Sequence, residues 1–213
     1  MATTRISRTD SKARTRADLI AAARRVFVER GFHAATLDEI AEAAGYTKGA
    51  VYSNFRGKDD LFLELLDEHY ERRVLAHREV MLGLDLDDRE ETWRAIARIM
   101  IEAYERDPAW WTLVSDFSTH AARHPQTQAR LRELRERFIG SMAELIEVVA
   151  ERHGISSRLS SRDIARGTGA LMRGLVLDWI LDPADESRAS VFEETVAAFL
   201  RGVAVPLEER STE

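Results

Sequence analysis

Apolar residues recur at spacings of three and four along nearly the whole chain, which is the period of an α-helix, and no stretch alternates as a half-buried strand does. Between Arg14 and Glu29, Leu19, Ala23, Val26 and Phe27 fall on one stripe, and Gly31 supplies a stop. Thr36 to Glu39 reads as a capping box, in which the threonine hydroxyl and the glutamate side chain each satisfy the other's backbone N–H. The helix it opens buries Leu37, Ile40, Ala41 and Ala44 and ends at Gly45. Thr47 caps the next helix, whose Val51 and Phe55 lie one turn apart, and Gly57 breaks it. Lys58 begins a long helix with Leu61, Phe62, Leu65 and Leu66 inward.

The pattern continues behind a linker at Gly83 to Asp88. Asp88 to Glu91 is a second box-like start, Asp107-Pro108 an N-cap with proline in the first turn, and His124-Pro125 a further break. Leu131, Leu134, Phe138, Met142, Leu145 and Val149 define a long helix ending near Gly154. Ser160 to Asp163 caps the next, which carries Ile164, Leu171, Leu175 and Trp179 and stops before Pro183. The last helix holds Phe192, Val196, Phe199 and Val203. The expectation is an all-α chain of about nine helices, short ones in front and longer ones behind.

Composition narrows the class. The chain has 213 residues, with 45% hydrophobic and 32% charged, an ordinary globular balance. No apolar run approaches the roughly 18 residues of a membrane span. The N-terminus has no apolar core of a signal peptide, so a cytoplasmic protein is expected. There is no cysteine, which excludes disulfides and thiolate chemistry. The net charge of −6 is unevenly spread: residues 1–60 hold 11 Lys/Arg against 8 Asp/Glu, and the remainder is acidic. A basic front suits a polyanion, although a solvated tail has the same composition.

The helices at 37–44 and 48–54, joined by a short turn at Gly45, have the spacing of a helix-turn-helix. The second is too short to hold itself together in water, so Val51 and Phe55 must anchor it. Its outer face is then Lys48, Gly49, Ala50, Tyr52, Ser53 and Asn54. Small groups admit close approach to a groove, an asparagine can pair with an adenine edge, and Thr47, Lys48 and Tyr52 can bind phosphates. An ordinary helical corner has the same bare pattern.

The stretch "GFHAATLDEIAEAAGYTKGAVYSNFRGKDDLF", Gly31 to Phe62, resembles the DNA-binding segment of TetR-family transcriptional regulators. It has the Gly-aromatic start, the Thr-led short helix, the Ala-Gly turn, the Thr-x-Gly-x-apolar-Tyr run ending in Phe, and Lys-x-x-Leu. The resemblance implies a DNA-binding domain over 1–57, with its basic arm, and a ligand-binding and dimerisation domain over 58–213. It implies phosphate contacts at Thr36 and Thr47, groove-facing Lys48, Gly49, Ala50 and Asn54 beside Ser53, and backbone clamps at Tyr52 and Lys58. Ala50 replaces a frequent Thr or Ser and Asn54 a frequent His or Tyr, which suggests a shift of base reading toward Tyr46, Lys48 or the arm. Arg14 and Arg16 can enter a minor groove from that arm.

The rear helices, over about 161–182 and 187–204, are apolar beyond a narrow stripe, with small residues admitting close approach. The resemblance implies that they pair with a second copy, through Gly167, Ala170, Leu171, Gly174, Phe192, Val196 and Phe199. The alternative is that they complete the core of one chain. Trp93, Met100, Tyr104, Trp111, Phe117, Phe138 and Met142 form an aromatic-rich set suited to an apolar cavity, and equally to plain core. Trp110 and Trp111 are adjacent, so at most one points fully inward. The family implies a small hydrophobic effector at this set.

Asp116, His120 and His124 fall at i, i+4 and i+8, so one helix face can present three metal ligands, or simply be solvated. No metal and no cofactor are expected. No glycine-rich phosphate loop, Gly-x-Ser-x-Gly or His-Glu-x-x-His occurs, so no enzyme is expected. The leading expectation is a dimeric, ligand-released repressor of double-stranded DNA; a protein–protein adaptor using the same helices is the other class.

Overall fold

The computed structural model describes residues 8–83, 89–182, 184 and 187–205. Nine helices run through them: α1 Arg8–Ala34, α2 Leu37–Ala44, α3 Lys48–Asn54, α4 Lys58–Gly83, α5 Arg89–Glu105, α6 Pro108–Ala122, α7 Pro125–His153, α8 Ser161–Leu181 and α9 Arg188–Val203. The all-α expectation holds. A two-residue pairing, β1 Ser156–Ser157 antiparallel to β2 Ala204–Val205, is too short for any alternation to announce it. Residues 84–88 of the expected linker, with the Asp88 cap, lie outside the described residues.

Local signals account for most boundaries. Gly31 takes φ 77° and ψ 161°, which interrupts α1 where the sequence places a stop. Gly45 ends α2 in the left-handed region at φ 74°, ψ 25°, where a side chain is strained. Asp107 Oδ1 accepts from Trp110 N–H at 3.2 Å to open α6. Ser160 Oγ accepts from Asp163 N–H at 3.1 Å to open α8. The start of α1 differs from the expected basic arm: residues 8–16 are helical, so Arg14 and Arg16 sit on α1 rather than in a loose arm.

The described residues form two compact units. One comprises those up to Tyr70 with Leu113–Arg132, and so extends beyond the 1–57 of the sequence reading. Its core joins Leu19, Ile20 and Phe27 of α1 to Ile40, Val51 and Phe55, and to Leu61 and Phe62 of α4. Phe32, Phe62 and Phe117 meet at its centre, Phe62 and Phe117 stacked at 4.1 Å and Phe32 edge-on to Phe117 at 4.9 Å. Such pairs contribute about 0.5–1.5 kcal/mol beyond area burial.

The other unit comprises Glu71–Thr112 and the residues from Glu133 onward. There α5 packs on α9 and α9 on α8 around Ala97, Met100, Tyr104, Met172, Trp179, Phe192 and Val196. Gly167 permits a close approach of α8 and α9: a Cβ there falls 2.8 Å from Phe199 Cζ.

Candidate functional site

The two short helices are held from both ends by hydrogen bonds that the sequence encodes. Thr36 Oγ1 accepts from Glu39 N–H at 3.2 Å, and Thr36 N–H donates to Glu39 Oε2 at 2.9 Å. These bonds, first the backbone and then the hydroxyl of Thr36, hold the Glu39 carboxyl below its ordinary pKa. Tyr46 N–H donates to Ala41 O at 2.9 Å and closes the turn. Thr47 Oγ1 accepts from Ala50 N–H at 3.4 Å. The seven residues of α3 gain little from their own hydrogen bonds. Val51 and Phe55 are buried and supply the anchor, each worth about 1.5–3 kcal/mol.

The outer face is then plain. Thr36, Thr47, Lys48, Gly49, Tyr52 and Ser53 are exposed, Tyr52 at 54%, and Ala50 is half-buried. Lys48 Nζ donates to Asp38 Oδ2 of α2 at 2.9 Å, and this bond raises the lysine's pKa. Asp38 was not singled out by sequence reasoning. Its signal was a carboxylate at the start of α2 facing a lysine at the start of α3, across a turn whose geometry the sequence does not state.

Four expected DNA contacts are turned to protein partners. Asn54 is half-buried; its Nδ2 donates to Ala50 O at 2.8 Å, within 3.3 Å of Ser53 Oγ. The Asn54 amide is thus bonded to a carbonyl of its own helix, which the Ser53 hydroxyl also reaches at 2.9 Å. Its Oδ1 is buried without a partner. The Tyr46 hydroxyl bonds Asp18 Oδ2 of α1 at 2.8 Å. Lys58 Nζ donates to His33 O at 2.9 Å and Ala35 O at 3.0 Å, and sits 4.9 Å from the Phe32 ring centre. Burial pushes its pKa below the ordinary lysine value. Arg16 pairs with Glu64 of α4 and covers the Phe55 ring at 5.1 Å. A further strap, absent from the sequence reading, runs from Arg25 of α1 to Ala43 O at the end of α2, at 3.3 Å.

The aromatic set divides. Trp93, Met100, Tyr104 and Trp111 gather in the second unit, where Tyr104 stacks on Trp179 at 4.4 Å and Arg73 lies 4.8 Å over Trp111. Trp110 is buried and Trp111 half-buried, as adjacency on a helix requires. Phe138 and Met142 are half-buried on α7 of that unit. Phe117 does not join them; it is fully buried in the first unit's aromatic core. A shallow groove of 390 Å³ lies on α5 and α9, lined by Arg94, Ser190, Val191, Glu193 and Glu194 rather than by the aromatic set.

Of the expected dimer residues, Phe192 and Val196 are buried within the chain, and Phe199 fills the space over Gly167. Leu171 is half-buried, while Ala170 and Gly174 are exposed. These two continue into Leu177 (49% exposed) and Leu181 (74%), one stripe along α8. On α9, Val191, Ala198 and Gly202 are also exposed. The expected metal face is not assembled: Asp116 is exposed, and His120 Nε2 instead meets Asp59 Oδ2 at 3.1 Å, beside Thr127 Oγ1. Burial alone raises the pKa of Asp59, but the Thr127 and His120 bonds outweigh it, and the net shift is downward. No group of three or more His, Asp or Glu suited to a metal occurs among the described residues.

Residues 19–65 match the model of bacterial regulatory proteins of the tetR family, and residues 89–205 that of the C-terminal part of BetI-type transcriptional repressors. The chain is 30% identical over 193 residues to the transcriptional activator FasR of Mycolicibacterium smegmatis, covering 90% of this chain and 84% of that one. It is 27% identical to the transcriptional repressor BepR of Brucella suis, over 79% and 81% of the two chains. The crystal structure of a TetR-family regulator from Mesorhizobium loti superposes with a TM-score of 0.71 at 23% identity, over 91% and 98% of the chains.

Proposed function

Because the chain belongs to the TetR family of transcriptional regulators, we propose that it is a cytoplasmic, ligand-responsive repressor that binds a near-palindromic operator as a homodimer. The observation that carries the reading is the α2–turn–α3 pair, with its anchored inner residues and its low outer face. Thr47, Lys48, Gly49, Tyr52 and Ser53 are the groups presented, with Thr36 at the start of α2. Glycine and alanine keep the backbone of α3 close to a groove, and the polar groups around them set register on the phosphates. Residues 1–57 are the DNA-binding part of this proposal. Asn54, Tyr46, Lys58 and Arg16 act in it by holding the reading helix in place.

One recognition helix reads few base pairs, so the proposal needs two, roughly 34 Å apart. The exposed stripe Ala170, Gly174, Leu177 and Leu181, with Val191, Ala198 and Gly202, supports pairing through α8 and α9. Small residues there let a second copy approach closely, and exposed leucines gain by being covered. The effector is an apolar small molecule taken up at Trp93, Met100, Tyr104 and Trp111, with Phe138 and Met142 on α7. It must bind the DNA-incompetent dimer more tightly than the competent one.

The test is fluorescence anisotropy of the chain on a duplex from upstream of its own coding sequence, against a random duplex of equal length at fixed salt. Preference for the upstream duplex is expected; equal affinity would remove the operator-binding reading. FasR is named as an activator, which favours a second reading in which the same DNA contact recruits transcription. A reporter under the bound promoter separates the two by the sign of its response.

A further inference from the structure

The pair α2–α3 is unusual for a surface meant to meet a polyanion: it carries one cation, Lys48, against three carboxylates, Asp38, Glu39 and Glu42. Glu39 is committed to Thr36 in the capping box. Lys48 is committed to Asp38, Nζ to Oδ2 at 2.9 Å, with both side chains about three-fifths exposed. Of the other basic residues expected to meet DNA, Arg16 faces Glu64 and Lys58 two backbone carbonyls, while Arg14 is exposed on α1, away from α2 and α3 in sequence. The cation at the outer surface of the motif is therefore already neutralised when DNA arrives.

Electrostatic attraction to phosphates is blind to sequence and supplies most non-specific binding. A lysine paired with its own carboxylate adds less to it. Exposed ion pairs are weak, so a phosphate in the right place can still take Lys48 from Asp38. Where the fit is poor, the pair stays closed, and an unpaired Asp38 would face the backbone charge.

Resting on the DNA-binding reading above, we propose that Asp38 is a positioning residue that sets specificity. It withholds Lys48 from duplex DNA in general and releases it only where the fit of α3 brings a phosphate or base acceptor within reach. Asp38 touches no base in this scheme; it acts through Lys48.

The experiment starts from the duplex that the wild-type chain selects from a random pool. Affinities of wild type, Asp38→Asn, Lys48→Ala and the double variant are measured on that duplex and on a random one, over a range of salt. The neutral asparagine leaves the Thr36–Glu39 box intact, and circular dichroism checks the fold. With Asp38→Asn, random-duplex affinity is expected to rise about threefold or more, with a smaller change on the selected duplex, so discrimination falls. The slope of log K against log salt on random DNA steepens by about 1 for each motif bound. In the Lys48→Ala background these effects vanish. Unchanged discrimination and slope would overturn the proposal. So would a full-sized effect in the absence of Lys48, since Asp38 would then act as a bare charge. If the wild-type chain selects no sequence at all, the DNA-binding reading itself has failed, and this inference with it.

Discussion

Replacing Lys58 by methionine separates two roles that the sequence alone does not distinguish. The ammonium holds His33 O in the last turn of α1 at 2.9 Å and Ala35 O just beyond that helix at 3.0 Å, from the first residue of α4. Cations are favourable at a helix C-terminus, and α1 has only His33 as a basic group in its own last turn. Hydrogen bonds from a charged donor contribute about 1.5 kcal/mol each at the low end. The contact over the Phe32 ring adds about 0.5 kcal/mol. Desolvation, which lowers the lysine's pKa, offsets part of the sum. A net loss of about 2 kcal/mol is therefore expected, with methionine keeping the apolar stem over Phe32. Urea unfolding followed by far-ultraviolet circular dichroism reads this as a fall of about 1 M in the midpoint. DNA affinity of the folded variant should stay within about twofold. An unchanged midpoint with a large loss of DNA affinity would refute the argument and return Lys58 to the DNA backbone.

His77 makes stability fall in acid. It is half-buried, its Nδ1–H donates to Arg73 O at 2.7 Å, and desolvation, with the Arg73 charge, lowers its pKa from 6.5 to about 4. The folded chain holds it neutral while the unfolded chain takes a proton, so this group costs nothing above pH 6.5 and up to about 3 kcal/mol as pH falls to 4. His77→Leu should flatten that part of the stability–pH curve, and an unaltered curve would exclude the group. Gly167→Val places a side chain against Phe199, so the melting temperature should drop by the equivalent of about 1–3 kcal/mol; wild-type melting would contradict the close packing of α8 on α9. Leu177→Glu changes an exposed position, so the fold should persist while light scattering reports monomer in place of dimer; an unchanged dimer would move the interface elsewhere.

Helices were legible because their caps and apolar stripes are local: the Thr36–Glu39 box, Gly45 and Ser160 each act within four residues. The start of α1 was not, because Arg8 to Asp18 has little apolar content and its helix carries on from the buried stripe behind it. The outer face of α3 was legible for Lys48, Gly49, Tyr52 and Ser53, since Val51 and Phe55 fix which side is inward. Asn54, Tyr46 and Lys58 have partners that the sequence reading did not name, for Tyr46 and Lys58 because only the tertiary fold brings Asp18 and His33 O near. Phe192 and Val196 show the same limit on α9. An apolar stripe says that a face is covered, and not whether the cover is α5 of the same chain or a second copy.

Selection of duplexes from a random pool by the full chain, followed by sequencing, tests the central claim most directly. The account expects enrichment of an inverted repeat whose half-sites lie about one helical turn, 10 base pairs or a multiple, apart, with enrichment lost in a Gly49→Gln variant whose side chain fills the low face of α3. A pool that remains random after repeated rounds, or an enriched site that Gly49→Gln binds equally well, would contradict it.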